Sequence, residues 1–171
     1  MARFTATVES QTGQLAGTPS GTTFNGYFAY IAAAANTGLK LRRAKVGLRA
    51  GAAVPTSQQY TVAIYLQTAA PSGTGLAAGV ISPLDNAMND TAASAGLVVT
   101  TATTAGTSGP TIGAVALDKI TLNTQTFTDV PWEFIEELTC PKGTANGFAF
   151  VNIGNTLPGG HFIVLSVETE E

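Results

Sequence analysis

Apolar and polar residues alternate with period two along much of this chain, in short runs broken by Gly, Pro, Asn and Ser at fairly even spacing. Successive side chains of an extended chain point to opposite sides, so this is the pattern of strands that bury one face. The clearest run is 60–67, where Tyr60, Val62, Ile64 and Leu66 oppose Thr61, Ala63, Tyr65 and Gln67. Residues 4–9 set Phe4, Ala6 and Val8 against Thr5, Thr7 and Glu9 and predict a first strand. Residues 24–31 and 39–50 follow, and in the latter the parity slips between Leu41 and Ala44, which predicts a β-bulge. Further strands are expected at 78–81, 97–104, 111–116, 119–124, 132–139, 147–153 and 161–168. Only 84–95 reads as helical, with Asp85 as its N-cap. The pattern predicts an all-β fold, a two-sheet antiparallel sandwich of jelly-roll type with about eight or nine strands. Residues 24–171 are expected to form this domain. Residues 1–23 are expected to be either an N-terminal arm that lies on a neighbour or a first strand followed by a loop.

The end of the chain departs from simple alternation. Residues 147–153 and 161–167 flank the turn-rich segment GNTLPGG, which predicts a closing hairpin. Ile163, Leu165 and Val167 suit a core, yet Phe162 and Val164 point the other way, and Phe148 and Phe150 oppose Ala149, Val151 and Ile153. Two apolar faces need two covers, the second from a loop, the N-terminal segment or another subunit. Phe148, Phe150, Phe162 and Val164 are therefore candidate interface residues, as are Phe4 and Val8 if residues 1–23 form an arm.

Charge changes the picture more than any motif does. Residues 50–84 and 91–117 contain no charged side chain, and such residues make up 11% of the chain, against about a quarter in ordinary soluble domains. Large neutral surfaces follow, which suits a protein that holds an assembly together. Lys40, Arg42, Arg43, Lys45 and Arg49 supply five of the eight basic residues. They predict a solvated strand face or an ion-pair seam with acids such as Glu136, Glu137, Glu168, Glu170 and Glu171, inside the chain or between identical subunits, and the expectation is that the segment meets carboxylates across a subunit boundary. With a net charge of −3 and little aromatic interleaving, the segment is not expected to bind nucleic acid. Residues 1–10 lack the pattern of a secretory leader and no apolar run could span a bilayer, so synthesis in the cytoplasm and no membrane are expected.

Catalytic chemistry finds little support. The chain has one His and one Cys, so neither a disulfide framework nor a Cys-rich metal site is available. His161 has no GxSxG nucleophile elbow to serve, and Cys140, next to Pro141, reads as a small buried hydrophobe. The run DNAMND, residues 85–90, lacks the spacing and the Gly of a calcium loop. Phosphate-binding loops are absent. No catalytic residue, metal ligand or cofactor is expected. Tyr27, Tyr30, Tyr60, Tyr65 and Trp132 could stack on sugars, but in a sandwich they more often pack in a core or interface.

Two resemblances bear on class. The run VPWEFIEELTCPKGTANGFAFVNIGNTLPGGHFIVLSVETEE resembles the last third of galactose-binding-like jelly rolls and related carbohydrate-binding modules, with its Trp-led strand, P-x-G-T turn and final apolar strand ending in acid. It implies the fold and no particular sugar-binding residue. The Ala-, Thr- and Gly-rich, charge-poor chain also resembles small structural proteins of tailed-bacteriophage virions, above all capsid decoration or cement proteins. That resemblance implies a non-enzymatic virion protein, made in the host cytoplasm. It would be a homo-oligomer, with a trimer favoured, and would bridge copies of the major capsid protein or another virion protein. The alternative is a carbohydrate-binding module of a tail or fibre that uses exposed Tyr or Trp.

Overall fold

Two antiparallel sheets stack with their apolar faces together in the computed structural model, which describes residues 3–17, 26–51, 56–72, 74–84, 95–100, 111–125 and 130–171. The first sheet has the order β10 (Val130–Cys140), β3 (Leu39–Ala50), β12 (His161–Glu170), β1 (Arg3–Glu9) and β6 (Ser82–Pro83). The second runs β5 (Leu76–Ala78), β7 (Gly96–Thr100), β2 (Tyr27–Ala32), β11 (Gly147–Asn152), β4 (Gln59–Ala69) and β8 (Thr111–Ile112), and β9 (Asp118–Asn123) also pairs with β4. Among the described residues all regular structure is β. The helical pattern at 84–95 falls almost wholly outside them.

Long strands form where the alternation is cleanest. In β4, Tyr60, Val62 and Ile64 enter the core, and β3 contributes Leu39, Leu41, Ala44, Val46 and Leu48. The parity slip in β3 is a real bulge: Glu168 pairs with Arg43 while Thr169 pairs with Leu41, so Arg42 is the extra residue. The bulge lets both Leu41 and Ala44 stay buried. From β12, Ile163, Leu165 and Val167 fill the middle of the sandwich.

The last two long strands do not form a hairpin. β11 sits between β2 and β4, so both its edges are occupied, and β12 sits between β3 and β1 in the other sheet. Residues 153–160 therefore cross from one sheet to the other. Asn152 pins this crossing, since its side chain donates to Asn155 O (2.9 Å) and accepts from Gly154 N–H (3.2 Å). Gly147 is required at the start of β11, because a Cβ there would lie 2.2 Å from Ile31 O.

Residues 3–9 belong to the chain's own sandwich. β1 pairs with β12 from Arg3 opposite Glu170 to Glu9 opposite Val164, which puts Phe4 and Val8 in the interior. Residues 3–9 thus take the first-strand form of the two expected, while residues 18–23 lie outside the described residues. The chain beyond it stays attached, as Ser10 Oγ accepts Ile163 N–H at 2.8 Å and Gly13 N–H reaches His161 O at 3.1 Å.

Candidate interaction surfaces

The outer face of the first sheet carries the basic segment, and its acids come from the same chain. Glu170 of β12 lies 3.3 Å from Arg42 Nη1, 3.6 Å from Arg3 Nε and 3.7 Å from Lys40 Nζ. Glu168 pairs with Arg43 and Arg3, and Glu137 of β10 with Arg42 and Lys40. The Glu168 and Glu170 side chains are only 9% and 7% exposed, so each carboxylate is buried beneath its cations. The carboxylates expected from across a subunit boundary are thus supplied by the chain itself, because β12 and β10 flank β3 in the same sheet. At the far end Arg49 donates to both oxygens of Glu9, at 2.9 Å each, and its guanidinium carbon lies 4.0 Å from the Phe162 ring centroid. Phe162 is thus covered by its own chain through a cation–π contact. Val164 is half-buried beside it, and Lys45 is exposed on the same face.

The outer face of the second sheet is apolar. Tyr27, Tyr30, Ala32, Ala63, Tyr65, Ala149 and Val151 form a cluster separate from the sandwich core, and all of them are buried within the single chain. The Tyr27 and Tyr30 rings lie 6.0 Å apart. Burial pushes all three phenols above their ordinary range, with Tyr30 adding to the effect on Tyr27. The Tyr27 hydroxyl and both amide atoms of Gln67 are buried there without a hydrogen-bond partner among the described residues. Phe148 and Phe150 do not belong to this face or to any surface: they point into the core, with no exposed area. The second apolar face expected for the end of the chain is Ala149 and Val151, and no other subunit is needed to bury it.

The two lateral edges of the sandwich differ from both faces. Four large hydrophobic side chains stand exposed among the described residues: Val80 at 76%, Leu84 at 47%, Val115 at 78% and Leu117 at 43%. All four lie in the charge-free stretches. Val80 and Leu84 flank β6, where the first sheet ends beside β5 and β7 of the second. A groove of about 480 Å³ runs there, lined by Gly79, Val80, Ile81, Pro83 and Leu97 among others. Leu117 lies at the opposite edge, where β9 meets β10, in a cleft of about 300 Å³ shared with Asp118, Phe134, Glu136 and Leu138. Trp132 Nε1–H donates to Asp118 Oδ2 at 2.9 Å and ties the two strands together. The sequence pointed to the uncharged stretches but not to these positions, because their exposure depends on which strand ends meet at an edge.

Chemistry-bearing residues are spread apart. The ring Nδ1 of His161 lies 3.1 Å from Gly159 O, a backbone carbonyl and not a carboxylate, and its Nε2 is buried without a partner among the described residues. Cys140 is buried, and burial pushes its thiol up to about 11. No three His, Cys, Asp or Glu side chains among the described residues gather where they could hold a metal ion. Residues 85–90 lie outside the described residues. Tyr27, Tyr30, Tyr60, Tyr65 and Trp132 are all buried. No protein-family model and no curated protein matches the chain.

Proposed function

We propose that this protein is a structural bridge in a larger assembly, of the kind that decorates or cements the capsid of a tailed bacteriophage. The observation that carries this reading is the exposure of large apolar side chains at both lateral edges, Val80 and Leu84 on one and Val115 and Leu117 on the other. A bridge needs two separate contact surfaces, and exposed apolar side chains lose little solvation when a neighbour covers them. Its mechanism is linkage: a subunit that binds only the closed arrangement of its neighbours favours that arrangement by mass action. The strand order also supports reading the sandwich as a jelly roll, since β1-β12-β3-β10 faces β2-β11-β4-β9 and the first and last strands are neighbours. A homotrimer that contacts the major capsid protein or another virion protein is the assembly this reading favours. A sugar-binding module would need exposed rings, and the five aromatic candidates are buried. Quantitative mass spectrometry of purified particles tests the proposal. Copy numbers on the order of those of the shell subunits support a cement role, and absence from the particles, or a copy number fitting only a tail or fibre, refutes it.

A further inference from the structure

The two edges differ in one respect that sets the chemistry of a partner. The groove beside β6 carries no charge, but the cleft between β9 and β10 is apolar at its base and acidic at its rim. Leu117 and Asp118 enter it from the second sheet, and Phe134, Glu136 and Leu138 from the first. The wide bulge in β10 builds the cleft: pairing with β3 jumps from Glu133 opposite Arg43 to Leu138 opposite Leu41. That jump takes the intervening residues out of the ladder. Phe134 packs on Trp132, with ring centroids 5.7 Å apart. The Asp118 carboxylate is held in place, because Oδ2 accepts from Trp132 and Oδ1 accepts Lys119 N–H at 2.8 Å. Exposed Glu133 and Glu136 pair with no cation among the described residues. The outer edge of β10 ends its sheet, so its backbone groups can accept a further strand.

We infer that this cleft docks an extended segment of a different protein, with one apolar side chain seated on Leu117, Phe134 and Leu138 and a Lys or Arg beside it facing Asp118 and Glu136. Charge complementarity selects this occupant. A second copy of the chain offers few cations, since five of its eight basic residues, Arg3, Lys40, Arg42, Arg43 and Arg49, are engaged with their own acids. The inference rests on the bridging reading and names the partner chemistry of one of its two edges. It is probed with the peptide acetyl-Lys-Leu-Lys-Val-Lys-amide, and with acetyl-Glu-Leu-Glu-Val-Glu-amide as control, added to the full chain. Trp132, the one tryptophan, reports occupancy through its fluorescence. The expected result is a saturable change with the basic peptide only, weakened about tenfold by Glu136→Lys or by Leu117→Ser, and weakened again by salt. No saturable change, equal binding of the acidic peptide, or unchanged binding by both variants would overturn it. Loss of assembly on changing Val80 alone, without peptide binding, would leave the bridging reading in place and remove this one.

Discussion

The two sheets close one sandwich, yet they finish their outer faces in opposite ways. The first sheet covers its outer face with ion pairs over Glu168 and Glu170, and the second with Tyr27, Tyr30 and Tyr65 among alanines. A buried carboxylate must be matched by cations at close range, so the first face is fixed by a few specific contacts. The second is fixed by packing, where any added charge lacks a partner. Neither face is left for a neighbour to complete. What remains exposed and apolar is the pair of edges, one without charge and one rimmed by Asp118 and Glu136, and the contrast therefore directs attention away from the basic segment.

The sharpest way to break this comparison is to place a charge on each face. Ala149→Glu puts a carboxylate into the apolar cluster at a fully buried position, with an expected cost of about 3–5 kcal/mol in urea unfolding. Val164→Glu, on the half-buried outer face of the first sheet, is expected to cost about 1 kcal/mol or less. Similar costs for the two would show that the faces do not differ as described. Next in size is Glu170→Ala, which strips Arg3, Lys40 and Arg42 of a shared counter-charge. An expected loss of about 1 kcal/mol follows from the value of part-exposed ion pairs that share one carboxylate, and an unchanged urea midpoint would argue that the seam is ornamental.

Alkaline pH separates the faces in another way. Cys140 and Tyr27, Tyr30 and Tyr65 have their pKa values raised in the folded chain by burial. A raised folded value means the folded state holds its proton more tightly, so the stabilisation is complete below the unfolded value and is lost as pH rises from there through the folded value. Those unfolded values are 9.0 for Cys140 and 10.0 for the tyrosines. The urea midpoint should stay flat up to about pH 8.5 and fall above about pH 9, and Cys140→Ala should remove the earliest part of the fall. A midpoint that rises above pH 9 would contradict the burial of these groups. A smaller effect is expected for Arg49→Ala, which removes the Glu9 pair and uncovers Phe162. Its loss should shrink as salt is added, because the pair is exposed.

Much of this was legible in the sequence wherever one side chain period fixes one face. The span and the bulge of β3 were, as were the core set of β4 and the burial of Ile163, Leu165 and Val167. The pairing of the last two strands was not, since alternation assigns a residue to a face and says nothing of which sheet holds the strand. GNTLPGG looks like a hairpin turn but spans the gap between sheets. β5, β6 and β8 hold two or three residues each, too few for periodicity, and they exist because a long strand offers an edge. The basic segment was visible, but its acids lie in β1, β10 and β12, and only the pairing of those strands with β3 or with one another brings them together.

In the proposed bridge the exposed apolar edges, and not the charged face, meet the neighbours. The direct measurement is the occupancy on purified particles of the double variant Val80→Asp, Val115→Asp, relative to the unaltered chain. Both positions are largely exposed, so the melting temperature should be unchanged, with a stability difference within about 0.5 kcal/mol. This folded variant is expected to associate no longer, whereas Lys45→Ala, on the charged face, still does. Full occupancy by the double variant would contradict it.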